Sequence, residues 1–181
     1  MTTSINISSR LEEWATLAGY TLTPGSSTAD GRAMFWSAGG EVRYFIGSSD
    51  NGWLVMTDSD RLGPEHFKLA VDSMTTMEKY LFGKFGAFIR SKRNLPRIEI
   101  PIAKEDVATG FSIGYRPYED RERMTLVGPS GSTLAFSSAD LLYGTMELVG
   151  LSIYLTATID DITAAFLSPD GGPLFSLRDP G

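Results

Sequence analysis

Between Met74 and Pro96 the apolar positions recur at helical spacing. Met74, Met77, Leu81, Phe85 and Phe88, wound at about 100° per residue, fall within roughly 80° of arc, with Phe82 and Ile89 beside them. This predicts one long amphipathic helix. Its other side carries Gly83, Gly86 and Ala87, where a solvent-facing helix ordinarily carries charge, so a second element is expected to pack close there. A shorter helix is predicted near the start: Ser9-Arg-Leu-Glu12 has capping-box spacing, Leu11, Trp14, Ala15 and Ala18 follow at helical intervals, and Gly19 supplies a stop.

Elsewhere the pattern is that of strands. Ala33 to Ser37, Val42 to Ile46 and Trp53 to Thr57 are apolar runs rich in aromatic and β-branched residues. Ala38-Gly-Gly and Ser48-Ser-Asp-Asn-Gly52 separate them, which predicts an antiparallel meander. Thr23 to Gly31 reads as a loop. Beyond the long helix, Ile98 to Ile102 and Gly110 to Arg116 read as strands around an acid-containing loop, Lys104 to Thr109. Met124 to Val127 and Thr133 to Phe136 flank Gly128-Pro-Ser-Gly131 as a hairpin, and Ala164 to Leu167 and Pro173 to Leu177 flank Ser168-Pro-Asp-Gly-Gly172 as another. With Met34 to Gly40 these make three strand, Gly-turn, strand cassettes, a recurrence that turn chemistry alone accounts for. Ala139 to Leu148 is predicted as a helix capped near Ser138, and Leu151 to Ala157 as a strand.

The expected fold class is therefore α+β. A mostly antiparallel sheet of hairpins and meanders would enclose one long central helix, with a short N-terminal helix. The 181 residues suit a single domain, 1–181, divisible into lobes 1–97 and 98–181. A chain of this size buries about 70% of its unfolded surface. No cysteine is present, so disulfides, thiolate metal sites and a cysteine nucleophile drop out. Neither a secretory signal nor a membrane span is visible, and a cytoplasmic location is expected. The formal charge of −6 argues against nucleic acid as partner and favours a basic one. Against that trend, Lys84, Arg90, Lys92, Arg93 and Arg97 form an acid-free run, either complementing the helix C-terminus or making a contact patch.

Catalytic signatures are scarce. His66 is the one histidine, and no Gly-x-Ser-x-Gly presents a nucleophile; the nearest match, Gly128-Pro-Ser-Gly-Ser132, breaks at its last position. Asp58-Ser-Asp60 and Asp160-Asp161 are carboxylate pairs without further metal ligands, and phosphate-binding glycine loops are missing. No cofactor and no metal is expected. The segment Tyr115-Arg-Pro-Tyr118-Glu-Asp-Arg-Glu122 mixes tyrosines, arginines and acids in a predicted loop. It reads either as an exposed hairpin connection or as an interface, for which Tyr and Arg are favoured anchors.

Glu41 to Ile46, Trp53 to Arg61, His66-Phe67 and above all Glu78-Lys-Tyr-Leu-Phe-Gly-Lys-Phe-Gly-Ala-Phe-Ile-Arg90 leading into Leu95-Pro96 resemble a bacterial immunity protein family. That family contains the cytoplasmic immunity factor for the tuberculosis necrotizing toxin, an NAD glycohydrolase. The start, Trp14 to Tyr20, and the close, Ser168 to Phe175, are similar too, so the resemblance spans most of the chain. It implies a non-catalytic antitoxin, a monomer that binds its cognate toxin domain one to one and occludes the NAD cleft. Glu105, Asp106, Thr109, Tyr115, Arg116, Tyr118, Glu119 and Asp120 are the positions expected to supply the contact. Two other classes stay open. One is an adaptor or chaperone for a secreted protein; the other is a hydrolase using Asp58, Asp60 or Glu65 with His66.

Overall fold

The computed structural model describes residues 4–138 and 141–179. In chain order its elements are α1 (Ser9–Ala18), β1 (Tyr20–Thr23), β2 (Ala33–Ser37), β3 (Val42–Ser48), β4 (Leu54–Asp60), β5 (His66–Val71), α2 (Met74–Lys92), β6 (Ile98–Glu99), β7 (Ser112–Tyr118), β8 (Arg121–Val127), β9 (Thr133–Ser137), α3 (Leu141–Thr156), α4 (Ile159–Leu167) and β10 (Ser176–Leu177). The class is α+β, as the patterning indicates. One antiparallel sheet holds eight strands in the order β1-β2-β3-β4-β5-β9-β8-β7. Its two halves meet where Leu69, Ala70 and Val71 pair with Ser137, Phe136 and Ala135. Strands from before and after α2 therefore share one sheet, while β6 and β10 pair separately.

The helices lie on one face of the large sheet. Phe35, Tyr44, Ile46, Met56, Leu69 and Leu126 from the strands pack with Trp14 of α1, Leu81 and Phe85 of α2, Leu148 and Leu151 of α3, and Phe166 of α4. The alternation of a strand sends other residues to the opposite face. There Ala70, Tyr118 and Phe136 form a smaller cluster with Trp53, Val55 and Phe67.

Central α2 packs on α1, α3 and α4, and its glycines are why. A Cβ at Gly83 would lie 2.2 Å from the Tyr154 ring of α3, and one at Gly86 would lie 2.4 Å from Phe166 of α4. Ala87 is exposed instead. The Trp14 indole of α1 donates to the Phe82 carbonyl at 2.9 Å.

Several boundaries differ from expectation for identifiable reasons. Ser8 caps α1, accepting from Leu11 N at 3.3 Å, and its own amide donates to Glu78 Oε1 of α2 at 3.1 Å. The reciprocal half of the predicted capping box thus comes from a neighbouring helix, and Glu12 is left out of it. β1 occupies Tyr20–Thr23, at the edge of the predicted loop, and pairs with β2. β5 was not predicted at all. The expected strand from Leu151 to Ala157 is, up to Thr156, the second half of α3, which is buried on so many sides that no amphipathic period marks it. The predicted helix start at Ala139 lies outside the described residues.

The third cassette is not a hairpin. Ala164 to Leu167 ends α4, whose capping box joins Thr158 and Asp161. Of Pro173 to Leu177 only β10 is a strand, and its partner is β6. The expected strand Ile98 to Ile102 shrinks accordingly to Ile98–Glu99.

Candidate functional site

Among the described residues, the start of α3 gathers the largest group of exposed apolar side chains. Leu141, Leu142 and Tyr143 are 68%, 63% and 64% exposed, and Met146 is 36% exposed. At helical spacing Leu142, Tyr143 and Met146 share a side, roughly opposite buried Gly144. Gly144 must be small, because a Cβ there would meet the Ser137 hydroxyl at 2.6 Å. The glycine seats the helix on β9, and the apolar side is turned outward.

The elements beside α3 extend this surface. On one flank a groove of about 360 Å³ runs between Met146 and the segment Ile98 to Ile102, with Asp106 and Arg178 at its rim. Ile102 is 48% exposed, and Glu105 and Asp106 lie in a short 3-10 turn, Lys104–Asp106, that packs on α3. The turn is anchored because the Ala108 amide donates to the Ser152 hydroxyl of α3 at 3.0 Å. Thr109 follows, exposed. Tyr115, 51% exposed, pairs with Met124 on the helix side of the sheet, and the Thr145 hydroxyl of α3 lies 3.5 Å from Met124 Sδ.

The other flank holds charge. Glu147, on the same side of α3 as Tyr143, accepts from the Tyr80 hydroxyl at 3.0 Å, while its buried Oε2 has no hydrogen-bond partner among the described residues. Desolvation raises its pKa above the ordinary carboxylate range, against the opposing pull of the Tyr80 hydrogen bond and of Lys84 and Lys68, with Asp58 adding to the rise. Lys84 lies 4.8 Å from the Tyr44 ring centroid, and desolvation lowers its pKa.

Because the folded pKa of Glu147 exceeds the unfolded one, the folded state holds the extra proton. The stability this contributes is lost as pH rises from the unfolded value, near 4.3, through the raised folded value. Glu147→Gln is therefore expected to raise the thermal midpoint at pH 7, and the gain should vanish towards pH 4. An equal shift at both pH values would contradict this origin.

The residues expected to form the contact divide between two surfaces. Glu105, Asp106, Thr109 and Tyr115 gather beside α3. Arg116 and Tyr118 do not join them: Tyr115 and Tyr118 are three residues apart on β7 and face opposite sides. Tyr118 is only 3% exposed, its ring tilted against Phe136 with centroids 4.7 Å apart and edge-on to Trp53 at 6.2 Å. It is a packing residue, and the predicted loop around it is the β7–β8 hairpin, with Glu119 and Asp120 at the turn. Leu141, Leu142, Tyr143 and Met146 were missed because apolar residues at helical spacing read as core.

Of the three carboxylates proposed for a hydrolase, two are held by cations, and Asp58 is the register partner of His66. Asp58 lies 3.2 Å from Lys68 Nζ and Glu65 lies 2.7 Å from Arg32 Nη1. No group of metal-ligating side chains occurs among the described residues. Arg90, from the basic run, is buried inside the fold.

A two-layer α+β domain with exposed aliphatic and aromatic side chains beside acids is built for contact with another protein. The family model of Immunity protein 61 matches residues 14–174, and the chain belongs to that family. The immunity factor for TNT of Mycobacterium tuberculosis is 42% identical over 177 residues, covering 98% of this chain and 97% of that protein. The immunity factor for TNT homolog of Mycobacterium bovis matches to the same extent. The solved structure of Rv3902c from M. tuberculosis superposes with a TM-score of 0.89 at 41% identity, covering 98% of both chains.

Proposed function

We propose that this protein is a non-catalytic antitoxin that binds a toxin of the TNT kind one to one in the cytoplasm of the producing cell and covers its NAD-hydrolysing cleft. The observation that carries this reading is the exposed side of α3, Leu142, Tyr143 and Met146, with Ile102 across the groove, Asp106 at its rim and Glu105 in the same turn. Apolar anchors supply most of the affinity at such a surface, while rim acids steer a basic partner and set the rate of encounter. Thr109 and Tyr115 widen the same face. The family and the relatives' names support a partner of this class.

Titrating TNT with this protein while following NAD hydrolysis tests the reading directly. Activity should fall linearly to near zero at equimolar protein; undiminished activity with a tenfold excess would overturn it. The double substitution Leu142→Ser with Met146→Ser should weaken inhibition by about tenfold or more, ~1.4 kcal/mol, and leave the thermal midpoint nearly unchanged because both side chains already meet water.

A further inference from the structure

No helix covers the second face of the large sheet among the described residues. Across it Met34, Phe45, Thr57 and Phe67 stand in register from β2 to β5, and guanidinium groups lie over this row. Arg32 and Arg43 are 4.6 Å and 5.5 Å from the Phe45 ring centroid. Arg123 of β8 is 3.7 Å from that of Phe67 and 5.8 Å from that of Tyr118. Arg116 of β7 is the register partner of Arg123.

Asp30 and Glu65, beside this row, are both taken by Arg32. Arg43 has a serine hydroxyl, Ser59 Oγ, at 3.0 Å, and Arg116 donates to the Thr133 hydroxyl. Arg123 has less. It is 7% exposed, yet its buried Nε finds no acceptor and no carboxylate pairs with it among the described residues. A protein of net charge −6 thus keeps in this face an arginine without an ion pair, on which Glu119 and Asp120 of the hairpin turn act only at a distance. A buried cation without a paired carboxylate is costly, and its contact with the Phe67 ring recovers only part of that cost. A guanidinium offers its N–H groups in the two-pronged geometry that matches a carboxylate.

We infer that Arg123 is a docking position for a carboxylate side chain of the bound toxin, making the open sheet face a second contact beside the α3 surface. This rests on the antitoxin reading. The two surfaces are continuous around one edge: β7 is the last strand of the sheet, and its neighbours Tyr115 and Arg116 point to the α3 side and the open side. A partner that wraps this edge meets both. Phe45, Phe67 and Met34 supply the apolar ground on which the acid-bearing segment rests.

Arg123→Met keeps the stem over Phe67 and removes the charge. Its thermal midpoint should equal or exceed that of the unsubstituted protein, whereas the dissociation constant for TNT, by calorimetry, should rise at least tenfold. The salt dependence of binding should become shallower. Equal affinity of the two proteins for TNT overturns the inference and leaves the antitoxin reading intact. Absence of binding by the unsubstituted protein overturns the antitoxin reading, and this inference with it. If Arg123→Met fails to fold, Arg123→Lys serves, since an ammonium cannot make the two-pronged bond and should still weaken binding several-fold. Self-association of the unsubstituted protein in sedimentation, lost in the variant, would assign the face to a second copy and overturn the toxin as occupant.

Discussion

Gly86→Val is expected to destabilise the protein by about 3 kcal/mol and to lower the thermal midpoint by roughly 6–12 °C. The first atom of the new side chain would sit 2.4 Å from Cδ2 and 2.5 Å from Cγ of Phe166, well inside van der Waals contact. The ring has no room to retreat. Phe166 is fully buried, and its centroid lies 5.7 Å from that of Phe175 and 6.3 Å from that of Tyr154. Either α4 lifts from α2, exposing Ile162 and Phe166, or the ring leaves its rotamer, and both cost more than the helix propensity gained by losing a glycine, about 1 kcal/mol. Gly150→Ala is the matching control. It lies inside α3, and its Cβ would be 3.8 Å from the nearest Tyr154 atom, an ordinary contact, so the propensity gain should appear almost undiminished. Thermal denaturation of the two variants reads the contrast; a Gly86→Val midpoint within 2 °C of the parent, on the scale given above, would show that the α2–α4 seam is not tight.

That seam was legible in the sequence because a long helix advertises its faces locally, and glycines where charge was due revealed a close neighbour. Hairpins β2–β3 and β8–β9 were legible for the same reason, each being a pair of alternating runs around a glycine turn. α3 was not. A helix buried over most of its circumference has no polar stripe, and Leu151-Ser-Ile-Tyr-Leu-Thr-Ala157 has the β-branched and aromatic content of a strand. Its partner α4 was hidden because Thr158 and Asp161 were read apart, the acid as half of a pair with Asp160 and not as half of a capping box. The candidate site divided along the same line. Glu105, Asp106 and Tyr115 could be picked by composition and turn context, but whether Tyr115 and Tyr118 share a face depends on which stretch is strand. That Leu142 and Met146 meet water depends on where Gly144 seats the helix, which is a tertiary fact.

Arg90→Met should cost about 3–4 kcal/mol, more than any surface charge on this protein, since removing one partner of a buried hydrogen-bonded set strands the others. Arg90 is 4% exposed, and carbonyls take the place of an acid around it. Its Nε donates to Pro96 O at 2.7 Å, Nη1 to Phe166 O at 3.2 Å and Ser168 O at 2.6 Å, and Nη2 to Pro169 O at 3.0 Å. Those acceptors include the last carbonyls of α4, where a cation also meets the negative end of the helix dipole. One side chain therefore ties the exit of α2, through Pro96, to the exit of α4. Desolvation lowers its pKa, opposed by Asp170, but a guanidinium remains charged throughout the physiological range. Arg90→Lys should recover less than half of the loss, because a single ammonium cannot reach Pro96 and Pro169 together. The consequence reaches the candidate site: the segment from Pro96 leads into Ile98–Glu99, and β10, which pairs with it, follows the carbonyls held by Arg90. Freed of that tie, the β6–β10 pair and the groove wall carrying Ile102 should exchange amide hydrogens faster in both variants, with β3 and β4 unaffected. Uniform acceleration across the whole sheet would mean that Arg90 supports the fold globally and does not tie these two exits in particular.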